Sequence, residues 1–365
     1  LLAVLTACLV NGFGSQSVDS IVVSGGIATV NRAAGHSFEQ HQVVKIAGAT
    51  PSGLNGEKKV LTATATSYTF DATGISDQTA SGTITHSVAA LGWTKPFADS
   101  GNVGVFKSSN VESTGHILRV DDSGAQVARA RAYESMSSLS VGTFRYPEDD
   151  VVSGGYYWPR SAANDAGSRG WMLFGDDRLF FLAVAYSAAS PTMYPINCAF
   201  GDYLPARPNG TAYSCILHGA TTTSSYSNVP GNYWDLPYLD VSTAQYLSTS
   251  RTYKNVSGPG YARRLWNPLP TILHNGSYHS GNGGGQYPNP VDNGIYVSPM
   301  VLWEGSGPYI GHMPGIYCTS QTISGVFSSQ MNLRDAVGLP GNRILKAVCS
   351  TTTSVAFFDI TGPWR

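Results

Sequence analysis

The sequence predicts a mainly β protein: an antiparallel, sandwich- or barrel-like core with long loops, a short N-terminal helix and an inserted small β domain. Three observations carry this. The 365 residues include 41 Gly, 20 Pro and 20 Tyr, with many Ser and Thr, so turn formers and strand formers dominate. Only 12% of the residues are charged, about half the fraction usual for soluble domains. Short runs of alternating apolar and polar residues, broken by Gly, Pro and Asn, recur along the chain.

The first element is the run LLAVLTAC. Its ending, Leu5-Thr6-Ala7-Cys8, has the outline of a lipoprotein signal, yet the first Lys or Arg is Arg32 and the run continues past the cysteine as LVNGFGS. It reads instead as a packed helix stopped by Asn11-Gly12-Phe13-Gly14. Leu1, Leu2, Leu5 and Leu9 form its buried stripe, and Cys8 is a small core residue.

From Ser20 to Ser87 six alternating runs follow: SIVV, IATVN, QVVKIAG, KKVLTA, SYTFDA and GTITHS. Gly25-Gly26, Pro51-Ser52-Gly53, Asn55-Gly56 and Ser81-Gly82 separate them, which predicts a compact β module. The expected organisation is residues 1–17 as a helix belonging to the main domain, 18–90 as the inserted module, and 91–365 as the main domain.

The main domain opens at Leu91-Gly92-Trp93-Thr94 with strands NVGVFKS and HILRVDD, the turn Asp122-Ser123-Gly124, and AQVARARAYES. Val127, Arg129 and Arg131 face one way; Ala128, Ala130 and Ala132 face the other. A hairpin follows, WMLF and RLFFLAVAY joined by Gly175-Asp176-Asp177. The continuous apolarity of FFLAVAY predicts a strand covered on both faces. Residues 187–310 are loop-rich, with strands at CAFGDY, YSCILHG and GIYVSPMVLW, and the end is strand-like again at GHMPGIYC, NRILKAVCS and SVAFFDITGPWR. The aromatic loop residues Tyr226, Tyr233, Trp234, Tyr238, Tyr246, Tyr253, Tyr261 and Trp266 suit protein contacts, glycan contacts or packing on their own domain.

Patterns that bear chemistry are sparse. The paired acids Asp121-Asp122, Asp149-Asp150 and Asp176-Asp177 stand beside Gly, Ser or Pro at strand ends, where Asp closes turns. His274, His279 and His312 lie in Gly/Asn-rich sequence with no metal-ligand spacing. Asn282, Asn289, Asp292 and Asn293, in GNGGGQYPNPVDNG, have oxygen ligands to offer a calcium ion but lack its alternating acids, so turn chemistry is the reading. Sequons stand at Asn209, Asn255 and Asn275. Cys8, Cys198, Cys215, Cys318 and Cys349 form no CxxC pair; they read as buried free thiols, with Cys198 and Cys215 near enough in sequence to pair across a hairpin. No nucleophile elbow, P-loop or dinucleotide fingerprint follows a strand. The expectation is therefore no catalytic, cofactor-binding or metal residues, no cofactor, and no enzyme.

A net charge of −1 without basic runs argues against nucleic acid as a partner, and no apolar stretch approaches the length that spans a membrane. So few charges leave a weak solubility margin for a monomer, which points to an assembly.

Two stretches resemble known proteins. IATVNRAAGHSFEQHQVVKIAGATPSGLNGEKKVLTATATSYTFDATG, followed by SGTIT, is similar to a small β module recurring in structural proteins of tailed bacteriophages. LLAVLTACLVNGFGS joined to GWTKPF, with NVGVFKS, LRVDDSGAQVARARAYESMS and AFFDITGPWR, resembles a family of phage virion proteins in which the first two segments run almost directly together. The resemblance implies a component of the virion. Together with the low charge and β-rich sequence, it gives the reading of a structural protein assembled in the bacterial cytoplasm and placed in the tail tip, baseplate or fibre-attachment region. The partners expected on this reading are other virion proteins, copies of itself in a symmetric assembly, and a host-surface glycan or protein; the resemblance brings no catalytic residues to carry over. A capsid-surface decoration protein is the alternative within that class; a carbohydrate-binding host-recognition protein is the alternative outside it.

Overall fold

The computed structural model describes residues 1–185, 187–190, 195–207, 212–221, 247–252, 255–264, 288–304, 309–319, 333–339, 343–351 and 354–365. Their regular structure is almost all antiparallel β, as expected, and they divide into two units: Ala3–Gly92, and Leu1–Leu2 together with Trp93–Arg365.

The chain begins with a helix, α1 (Leu2–Thr6), that widens into a π-helical turn over Ala7–Asn11. Gly12, at φ +71°, ends it, and the backbone there runs so close to Val88 that a β-carbon would lie 2.5 Å from its carbonyl oxygen. Leu2, Leu5, Cys8 and Leu9 are buried as the stripe predicts, while Leu1 is only half-buried.

In the smaller unit nine strands follow: β1 (Phe13–Ser17), β2 (Ser20–Ser24), β3 (Ile27–Asn31), β4 (Val43–Ala47), β5 (Gly56–Lys59), β6 (Thr62–Ala63), β7 (Ser67–Asp71), β8 (Gln78–Thr79) and β9 (Thr85–Val88). They form two sheets, β1-β9-β4-β5 and β6-β7-β3-β2-β8. Alternation puts Ile21, Val23, Ala28, Val30, Val44, Ile46, Tyr68 and Phe70 into one core, joined by Phe38, Leu54, Val60 and Ile84 from the connections. Residues 3–17 group with this module rather than with the main unit, because β1 pairs with β9, matching Gln16 to His86 and Ser17 to Thr85. The chain thus enters and leaves the module on neighbouring antiparallel strands.

The main unit holds two sheets. The first contains β10 (Trp93–Thr94), β11 (Val103–Ser108), β12 (Ile117–Asp121), β13 (Val127–Met136) and β14 (Gly142–Tyr146) in that order, with β15 (Tyr156–Pro159) also paired to β13. Ala128, Ala130 and Ala132 are fully buried, so the small-residue face of β13 is the inward one.

The second sheet contains β16 (Trp171–Gly175), β17 (Leu179–Ala185), β18 (Pro195–Asp202), β19 (Leu204–Pro205), β20 (Cys215–His218), β21 (Leu247–Thr249), β22 (Gly258–Arg264), β23 (Val297–Glu304), β24 (Tyr309–Thr319), β25 (Leu333–Leu339), β26 (Arg343–Thr351) and β27 (Ser354–Asp359). Their order is β16-β17-β18-β20-β21-β22-β23-β24-β27-β26-β25, with β19 paired to β24. The sheet folds back on itself. Phe174 stacks on Phe358 with ring centroids 4.4 Å apart, and Phe181 packs on both Phe358 and Trp364. Leu179, Phe181, Ile216, Leu302, Ile316 and Phe358 lie in the core between the facing parts. On the other face of β17, Phe180 meets Trp93 and Trp158 of the first sheet. Every residue of β17 is consequently buried, as its unbroken apolar sequence predicts.

Candidate functional site

The described residues most like a chemical site converge in the main unit where the two sheets meet. Thr114 and His116 precede β12, Tyr146 ends β14, Asp202 ends β18 and Cys215 begins β20. The Thr114 backbone N–H and hydroxyl donate to the two Asp202 carboxylate oxygens at 2.8 and 2.6 Å. His116 Nδ1 and the Tyr146 hydroxyl are 3.0 Å apart. Cys215 interacts with Tyr146, Thr114 and Asp202.

A thiol, an imidazole and a carboxylate are the ingredients of nucleophilic catalysis. Their environment works against it. Tyr146, Cys215, His116 and Asp202 are 0, 1, 4 and 6% exposed. Burial, with Asp202 nearby, drives the Cys215 thiol far above its ordinary range, so it stays protonated. Burial also lowers His116, and its imidazole bonds Tyr146. The cluster acts as a polar clamp between sheets. Tyr156–Ser248 at 2.7 Å and Trp158 Nε1 donating to the His218 carbonyl at 2.8 Å extend the same clamp.

At the exposed side of this seam, Arg251 donates to both carboxylate oxygens of Glu134 at 2.5 and 2.6 Å. Its guanidinium lies 4.2 Å from the ring centroids of both Phe144 and Tyr213. Asn255, one of the sequons, accepts a further hydrogen bond from Arg251 at 2.7 Å.

Each pair of adjacent acids is engaged in holding the fold. Asp121 accepts from the Ser123 N–H and pairs with Arg119. Asp122 accepts from the Leu2 N–H at 2.9 Å and from Arg160 at 2.7 Å. Asp149 binds the Gly154 N–H and the guanidinium groups of Arg131 and Arg145, which together hold its carboxyl down at about 2. Asp176 caps the β16–β17 turn through the N–H groups of Arg178 and Leu179 and receives Arg365; Asp177 accepts from Asn110. At Asn289–Tyr296, Asp292 accepts from the Gly294 N–H and the Tyr296 hydroxyl, and Asn289 from the Val291 N–H, which is turn chemistry. His312 lies half-buried within β24.

Cys8, Cys198, Cys215 and Cys318 are buried free thiols. The β18–β20 register sets Asp202 opposite Cys215 and Ala199 opposite His218, so Cys198 and Cys215 stand at opposite ends of the pairing and form no bridge. Among the described residues no group of three or more His, Cys, Asp or Glu is arranged to hold a metal, and no helix is long and apolar enough to cross a membrane. Tyr226, Tyr233, Trp234, Tyr238, Tyr246, Tyr253, Trp266, His274, His279, Asn282, Asn209 and Asn275, and the side chains of Tyr261 and Cys349, lie outside the described residues.

The recurring sequence elements fold into locks. In the module, the Asn55 carboxamide brackets Ala49, accepting its N–H at 2.8 Å and donating to its carbonyl at 2.7 Å, while Leu54 is buried. Gly48, at φ +77°, passes so close to Thr83 that a β-carbon would lie 2.1 Å from its carbonyl oxygen. In the main unit, Trp93 of GWTKPF donates to the Asp176 carbonyl at 3.1 Å. Within AFFDITGPWR, Asp359 accepts from the Thr361 N–H at 2.8 Å, and its carbonyl accepts from the Trp364 indole at 2.8 Å. Compared with known proteins, the chain matches no family model and no curated protein.

Proposed function

We propose that this protein is a structural component of a tailed bacteriophage particle, working by assembly with copies of itself and with neighbouring virion proteins in the tail tip, baseplate or fibre-attachment region. The observation that carries this reading is the use made of the chemical-looking groups. Thiol, imidazole and carboxylate at the main-unit seam are closed off, the Asp202 carboxylate bonded by Thr114 and the His116 imidazole by Tyr146, and the resemblance-bearing segments serve packing and turn closure. A charge-poor surface on a β scaffold favours burial against neighbours over life as a free monomer. The β module, whose first and last strands pair, has the form of an added domain that a particle subunit presents to a neighbour or a host surface.

Quantitative mass spectrometry of purified particles, with immunogold electron microscopy, tests the proposal. The protein is expected at a fixed copy number in intact particles, with label at the tail. Its presence in infected cells but not in purified particles would overturn the reading, and label over the head would replace tail with capsid decoration.

A further inference from the structure

We propose that His36, Phe38, Tyr68 and His86 form an acid-released latch inside the β module, closed while the His86 imidazole is neutral and opened when it takes up a proton. The inference is independent of the particle reading, since it rests on the interior of one unit.

The four rings come from three places: His36 and Phe38 from the connection between β3 and β4, Tyr68 from β7, and His86 from β9. They pack in mutual contact. His36 meets Tyr68 edge-on at 5.1 Å, Phe38 meets His86 at 4.7 Å and Tyr68 at 5.4 Å, and the two imidazoles are 6.4 Å apart. The Tyr68 hydroxyl and His86 Nδ1, 3.1 Å apart and buried, join one sheet of the module to the other.

The hydrogen bonding suits neutral rings only. His36 Nδ1 accepts from the Phe38 N–H at 3.1 Å, so the neutral ring carries its proton on Nε2. His86 is 1% exposed, and its Nε2, like that of His36, is buried without a protein partner. Protonated, His86 would hold an N–H and a charge with nothing to receive them.

No carboxylate offsets that charge. The charged groups acting on His86 are His36 and Arg32, both of the same sign as an imidazolium. β1 contributes no titratable residue, and from β4 Ile46 lies opposite His86 while Lys45 is exposed. From β7 comes Tyr68, whose hydroxyl burial drives up; Asp71 on the same strand is exposed and bonded to Thr73. In the β3–β4 connection, Glu39 is exposed, and His41 is the remaining titratable residue. Burial first, then His36 and Arg32, lowers His86 to about 4. Its folded-state value thus lies below its unfolded value of about 6.5. Stability is fully present above that unfolded value and is lost progressively as pH falls towards the folded one.

Hydrogen exchange on the full-length protein, normalised for the pH dependence of the chemical step, tests this. From about pH 7 to about pH 4, amides of β7, β9 and residues 32–42 are expected to lose protection by about ten-fold or more, with β11–β13 much less affected. His86→Gln, which retains a hydrogen-bonding amide beside Tyr68 but cannot titrate in this range, should remove most of the loss. Equal loss in both units, or an unchanged loss in His86→Gln, overturns the proposal. Should the variant not fold, an NMR titration of the native imidazoles decides it: His86 titrating near its ordinary value without loss of structure rejects the latch, and titration well below it, coupled to opening, supports it.

Discussion

The indole of Trp364 covers the bare backbone of Gly315: a β-carbon there, at a φ of +75°, would lie 2.1 Å from the ring. Gly315→Ala therefore combines backbone strain with displacement of an aromatic residue that packs on Phe181. It is expected to destabilise the main unit by about 2–4 kcal/mol. Thermal unfolding followed by tryptophan fluorescence should show the loss; an unchanged midpoint would mean that Trp364 does not hold this position in solution.

Asn55 matters to the module in a different way. Removing its carboxamide leaves the Ala49 N–H and carbonyl without their partner, because both bonds run to that one side chain. Asn55→Ala should cost about 1–3 kcal/mol and speed proteolysis within residues 48–56. Asn55→Asp restores only the accepting half of the bracket and should fall between Ala and the native residue.

The four buried thiols should be inert in the folded protein. Burial pushes Cys8 up to about 12 and holds Cys198 and Cys215 higher still, so thiolate is scarce and access is closed. Iodoacetamide labelling with peptide mapping is expected to leave Cys8, Cys198, Cys215 and Cys318 unmodified until denaturant is added. Rapid native-state labelling of Cys215 would reopen the nucleophile reading of the His116 cluster.

Asp149 gives the main unit its own acid dependence. The Gly154 N–H, Arg131 and Arg145 hold its carboxyl at about 2, below the ordinary carboxylate value. Its contribution to stability is present above about pH 4 and fades as pH falls through the folded value near 2. Asp149→Asn should lower stability near neutral pH and flatten the urea-midpoint profile in that acidic window. An identical profile in the variant would show the carboxylate to be unimportant.

How much of this could be read from the sequence depended on how local each feature is. FFLAVAY announces a doubly covered strand by composition alone, and β17 is buried throughout. The Gly175-Asp176-Asp177 hairpin and the inward alanines of β13 are equally local. By contrast, β22 reads GPGYARR, a turn-like segment by propensity, and becomes a strand through its pairing with β21 and β23. The two-residue strands β6, β8 and β19 are too short to show a period. The clamp and the module's ring cluster were invisible for a related reason: Thr114 and Asp202 stand 88 positions apart, and Tyr68 and His86 belong to different sheets. Single Thr, His and Asp residues carry no mark of such meetings. The adjacent acids misdirect only if pairing in sequence is taken for convergence in space.

The antiparallel pairing of β1 with β9 has a consequence for heredity. Gly12 lies beside the Val88 carbonyl and the Ala90 nitrogen, so the two ends of the module emerge side by side. A stretch of gene encoding such a segment can be gained, lost or traded between genomes as a cassette, leaving the flanking codons to a path that a short turn would also complete. Variation in that stretch and constancy in its surroundings can then be selected separately.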